Sequence, residues 1–142
     1  MLDQARPAVL LLARIAIGAI FLVHGYQKFA TMGLAGTTKF FESLDIPLAG
    51  VAAPAVAVLE VAGGLALILG AALPIAGTLL AIDMVGAIVF AHGASGFSVG
   101  DGGYEFVLAL AAGSLAVGFT GGGALALDSV VGSRRRSASV IA

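Results

Sequence analysis

Hydrophobic residues fill four long stretches of this chain, about residues 7–29, 51–72, 74–91 and 103–119, and polar and glycine-rich segments separate them. As helix, the first stretch is about 34 Å long, enough to cross the ~30 Å hydrocarbon core of a bilayer. Pro7 suits a first helical turn, where its missing N–H is no loss. Residues 30–50 read as a loop broken at Gly33 and Gly36. Within it, residues 37–44 can form a short interfacial helix that stops before Pro47. The second and third stretches are separated by little more than Pro74, so they should be antiparallel neighbours. Residues 92–103 form a glycine-rich loop, and Gly121, Gly122 and Gly123 end the last stretch. The pattern predicts an all-α fold: a single-domain integral membrane four-helix bundle of antiparallel up-down topology, with a basic tail at 120–142.

Small residues recur at helical spacing inside these stretches: Gly18 and Gly25, then Gly63 and Gly70, Gly77 and Ala81, and Ala109 and Gly113. They allow helix backbones to approach closely where lipid supplies no hydrophobic drive for association. Packing is a sufficient explanation for them.

Each stretch also carries an ionisable side chain: Arg14, His24 and Lys28 in the first, then Glu60, Asp83 and Glu105. A charge at mid-bilayer costs about 2.5–3.5 kcal/mol on insertion scales, so these groups should be paired or face the bundle interior. At 100° per residue, Arg14, Gly18, Phe21, Gly25 and Lys28 share one stripe, with His24 at its edge. Depth divides the charges. Arg14, Glu60 and Asp83 lie deep, and Arg14 with Glu60, Asp83 or both is the expected buried ion pair. His24, Lys28, His92, Asp101 and Glu105 lie nearer the other face, where Tyr26 and Tyr104 join them. His24, Lys28, Tyr26, His92, Tyr104 and Glu105 are therefore the candidate site for a quinone or lipid headgroup, with histidine and carboxylate able to relay protons beside aromatic walls. The competing explanation is structural, with the ion pair holding the bundle and Lys28 and Glu105 anchoring helix ends.

Composition narrows the functions available. The chain is 60% hydrophobic and 11% charged, against about 45–50% and about 25% in soluble domains. Its 142 residues are consumed by spans and connections, which leaves no soluble catalytic domain. A net charge of −1 gives nucleic acid no purchase. The absence of cysteine excludes thiol relays, iron–sulfur ligation and thiolate zinc sites. No metal spacing motif joins the two histidines, and a bis-histidine haem is disfavoured because His92 opens a loop. Asp3, Pro7 and Arg14 fit a cleavable leader poorly, so the first stretch is expected to be retained. Arg6 and the run Arg134, Arg135 and Arg136 fall on one side of an even number of spans, Lys28 and Lys39 on the other; the balance places both termini in the cytoplasm.

The first span, from Arg14 through Gly18, Phe21, His24 and Gly25 to Lys28, resembles the opening signature of the DoxX family. Glu60 with Gly63, Gly64 and Gly70 is similar to that family's glutamate–glycine helix. Gly103, Tyr104, Glu105 and Phe106, followed by Gly121, Gly122, Gly123 and Asp128, are similar to its last helix and exit. The resemblance covers essentially the whole chain. It implies a multi-pass protein of the bacterial inner, or plasma, membrane. It also implies a membrane subunit like that of thiosulfate:quinone oxidoreductase, anchoring a soluble or membrane oxidoreductase partner. Arg14, His24, Lys28, Glu60 and Glu105 match the family's polar positions, and Asp83 matches no motif of it. The resulting expectation is an accessory, non-catalytic subunit, with membrane lipid as its surroundings and oligomers allowed. It would carry no intrinsic cofactor and would help pass electrons to quinone. The alternatives are a small proton-coupled transporter, in which a carboxylate such as Glu60 exchanges protons for substrate, and a structural scaffold without ligand.

Overall fold

The computed structural model describes residues 2–129. Five helices account for most of them: α1 (Leu2–Tyr26), α2 (Gly33–Ser43), α3 (Ala49–Leu69), α4 (Leu73–Ala87) and α5 (Glu105–Phe119). The continuous helical segments Gln4–Thr31, Ala49–Leu69 and Leu73–Ser95 are long and apolar enough to cross a membrane. Their outward faces present large apolar side chains such as Leu12, Ile75, Ile82 and Val89, as expected where the surroundings are hydrocarbon. The fourth apolar helix, α5, has 15 residues and is about 22 Å long, short of a full ~30 Å crossing by itself. The run Arg134, Arg135 and Arg136 lies outside the described residues.

Glycine sets the packing of α1 on α3. A Cβ on Gly18 would lie 2.6 Å from the Gly64 carbonyl oxygen, and one on Gly25 would lie 3.0 Å from the Glu60 Cβ. At the far end Gly70 abuts the Arg14 guanidinium. Contacts climb α1 as they descend α3, so the two helices run antiparallel, backbone against backbone. Between α4 and α5, Gly77 and Gly118 play the same part: Gly77 faces the Ser114 carbonyl, and Gly118 faces that of Leu73. Phe21, Leu67, Leu73 and Leu80 fill the space between these close-packed pairs.

Three residues turn α3 into α4. Gly70 adopts φ +70° and closes α3, with the Ala71 amide donating to the Ala66 carbonyl at 2.9 Å; this left-handed ending is the usual role of glycine just past a helix. Pro74 then begins α4. Gly33, also left-handed at φ +68°, is the break before α2, whereas Gly36 lies inside that helix. The predicted loop is therefore helical from Gly33 onward, one turn earlier than the sequence pattern suggests, because only one of its two glycines has the backbone of a breaker.

Both long spans α1 and α4 loosen where they reach the α2 side of the molecule. Gln27–Thr31 and Ile88–His92 each form one turn of wide, π-type winding. Such turns disturb the regular i→i−4 ladder and are frequent at functional sites. The Thr37 hydroxyl, fully buried, shares its one proton between the Gly33 carbonyl at 3.0 Å and the Lys28 carbonyl at 3.1 Å, so the loosened turn still has a partner.

The start of the predicted tail is docked. Gly122 and Ala126 are buried, and the Asp128 amide donates to the Gly70 carbonyl at 2.9 Å. The Asp128 carboxylate accepts from the amides of Ala72 at 2.8 Å and Leu73 at 3.0 Å. It supplies the cap that the start of α4, where Pro74 and apolar residues stand, lacks on its own helix.

Candidate functional site

Glu60 pairs with Lys28, Nζ to Oε2 at 2.7 Å, with side chains only 4% and 16% exposed. This differs from the expected Arg14–Glu60 pair. Arg14 faces Gly70, ten residues beyond Glu60 on α3, which is about 15 Å along the helix axis and out of reach. Lys28 comes within reach because it belongs to the wide turn that ends α1, one helical turn past the Gly25–Glu60 contact. Arg14 is 1% exposed and donates through Nη2 to the Leu125 carbonyl at 2.9 Å. It pins the docked C-terminal segment at the opposite end of the molecule.

The Lys28–Glu60 pair forms part of the wall of a cavity of about 640 Å³, within the ~300–1,000 Å³ of small-molecule sites. The cavity lies between the two wide turns, which contribute Gln27, Lys28 and Thr31 from one side and Ala91 and His92 from the other. His24 lines it, close enough to contribute to the electrostatic field at Glu60. Apolar walls come from Phe21, Phe40, Met84, Phe106 and Leu110. The His92 Nδ1 lies 2.9 Å from the Gly102 carbonyl oxygen. A carbonyl only accepts, so Nδ1 carries the proton and Nε2 is left to act as an acceptor in the neutral ring.

Of the six residues the sequence marked for a headgroup site, the cavity gathers His24, Lys28 and His92. Tyr26 points away, 64% exposed. Tyr104 packs edge-on against Phe97, with ring centroids 5.5 Å apart, and Glu105 begins α5 outside the lining. Glu60, expected deep in an ion pair with arginine, belongs to this cavity instead. Gln27, Phe40 and Met84 were not anticipated. Phe40 was legible as part of an amphipathic interfacial helix, while Gln27 enters only because the helix widens there. Among the described residues, no three histidine or carboxylate side chains converge as a metal site would need.

The DoxX family profile matches residues 9–93, more than half of the chain and all of α1 to α4 beyond the first seven residues of α1. This chain belongs to the DoxX family. It is 36% identical over 132 residues to the Bacillus subtilis protein named "Putative oxidoreductase CatD", covering 93% of each chain. It is 33% identical over 129 residues to inner membrane protein YphA of Escherichia coli, covering 87% of this chain and 91% of YphA. No solved structure matches it. The matched region holds Arg14, His24, Lys28, Glu60 and His92, so the ion pair and most of the cavity wall sit within it, while Phe106, Val107 and Leu110 of α5 lie beyond it.

Proposed function

We propose that this DoxX protein is the membrane subunit of an oxidoreductase assembly and that its cavity receives the headgroup of a quinone. The observation that carries this reading is a charged pair, Lys28–Glu60, set with His24 into a largely apolar cavity of about 640 Å³. A quinone needs donors for its carbonyl oxygens and an apolar space for its ring. Lys28 has N–H groups to donate beyond the one directed at Glu60, His24 adds a ring N–H, and the His92 Nε2 can accept from a quinol hydroxyl. Phe21, Phe40, Phe106 and Met84 supply the apolar walls. When bound, a quinone supplies the capacity to accept electrons and protons. The chain's own residues bind and orient it, exclude water, and hold protons at the Glu60 carboxyl and the histidine rings. The name of the Bacillus relative supports an oxidoreductase setting. We read α5 as a fourth crossing, because it runs from the loop beside His92 to the docked segment over Arg14, and we place both ends of the chain on the cytoplasmic face of a bacterial plasma membrane.

In membranes that retain the assembly, Glu60→Gln and His24→Ala should each lower quinone reduction about a hundredfold or more, the usual scale of a lost acid–base group, while the protein still co-purifies with its partner. Unchanged reduction in both variants would overturn the proposal.

A further inference from the structure

The cavity wall does not end at Glu60. Gly63 on α3 packs against Leu80 on α4, where an added Cβ would come within 2.9 Å of the leucine side chain. The two helices are joined by a tight turn and run antiparallel. Three residues from Gly63 toward the start of α3 is Glu60, and three residues from Leu80 toward the end of α4 is Asp83. Both steps are about one helical turn in the same direction, so the two carboxylates lie level on facing helices. Asp83 lies near enough to Glu60 and Lys28 for their charges to act on it, and its Oδ2 is buried with no hydrogen-bond partner among the described residues. Met84, beside it on α4, lines the cavity.

Two carboxylates and one ammonium therefore lie within electrostatic reach of one another at this level of the bundle, and the His24 ring acts on Glu60 from the cavity side. With both carboxylates ionised and the imidazole neutral, the cluster would carry a net negative charge within a membrane span. One added proton makes it neutral. It also gives the orphaned Asp83 oxygen a use, because a protonated carboxyl donates as well as accepts.

We propose that Asp83 is a second proton-holding residue behind the wall of the quinone cavity, sharing one proton with Glu60 beside Lys28. The proton can rest on Asp83 with Glu60 paired to Lys28. It can instead move to a Glu60 oxygen, leaving Asp83 ionised and Lys28 as its counter-charge; nothing is gained or lost in the exchange. Asp83 thus supplies a proton from the interior side while Glu60 faces the cavity. The role of this proton in quinone reduction rests on the function proposed above, but its presence does not.

Infrared spectra of the full-length chain in lipid, near neutral pH and with no quinone present, test this. The wild-type protein should show a protonated carboxyl C=O band that shifts in heavy water. That band should disappear in Asp83→Asn and in Glu60→Gln. It should also move in unsubstituted protein labelled with ¹³C at the aspartate or glutamate carboxyl carbon, so the result does not depend on the variants folding. A spectrum without the band, or with a band indifferent to both substitutions and both labels, would overturn the shared proton. In the assembly, Asp83→Asn should lower quinone reduction about a hundredfold while leaving the affinity for a short-chain ubiquinone unchanged. If the wild-type chain fails to bind that ubiquinone, the quinone reading falls while the spectrum still decides the dyad.

Discussion

Breaking the Lys28–Glu60 pair has a large energetic consequence, because a buried ion pair that loses one partner leaves an uncompensated charge. Lys28→Met should destabilise the protein by about 3–5 kcal/mol. The double variant Lys28→Met/Glu60→Leu, which removes both charges, should recover most of that loss. Denaturant unfolding in detergent micelles checks both, and a single variant as stable as the double one would contradict the pairing. The ionisable residues themselves were plain in the sequence, since a charge within an apolar stretch is conspicuous. Their partners were not. Depth alone made Arg14 and Glu60 look matched, but partnership depends on the antiparallel register, fixed by Gly18 against Gly64 and Gly25 against Glu60. That register sets Arg14 beside Gly70 and leaves Glu60 to the end of α1. The small-residue stripe held the information, but only a choice of which glycine faces which could release it.

At the scale of elements, the apolar stretches located the helices well, because a run that long and hydrophobic has no other way to satisfy its backbone in lipid. Departures from regular winding were not legible. The wide turns Gln27–Thr31 and Ile88–His92 contain no proline or glycine to mark them, yet they form two sides of the cavity. Nor did the sequence show that residues 121–129 return to α4, since a lone aspartate after a glycine run resembles any polar exit. Its role is now specific: Asp128 caps α4 through the Ala72 and Leu73 amides. Asp128→Ala should cost about 1 kcal/mol, as lost caps typically do, and should speed hydrogen exchange at those two amides while leaving α2 unaffected. Equal exchange in both proteins would show that the docked segment does not secure the turn.

On the scale of the whole molecule, the structure has two differently built ends. One is closed by Arg14, Gly70 and the returning segment; the other opens into a cavity between wide turns, under α2. If α5 is a fourth crossing, these ends face opposite sides of the membrane. The chain contains no cysteine, so single introduced cysteines report this directly. Ser43→Cys on α2 and Ser129→Cys beside Asp128 should react with a membrane-impermeant maleimide from opposite sides of sealed vesicles; labelling of both from one side would exclude the four-span arrangement. The open end is where the functional claim rests. The most direct test is photolabelling of the purified protein in lipid with an azido-ubiquinone, followed by peptide mapping. Adducts are expected on cavity residues such as Phe21, Phe40, Met84 or Phe106, suppressed by excess ubiquinone and weakened by Glu60→Gln. Adducts confined to the lipid-facing surfaces of the helices, or insensitive to competing quinone, would contradict it.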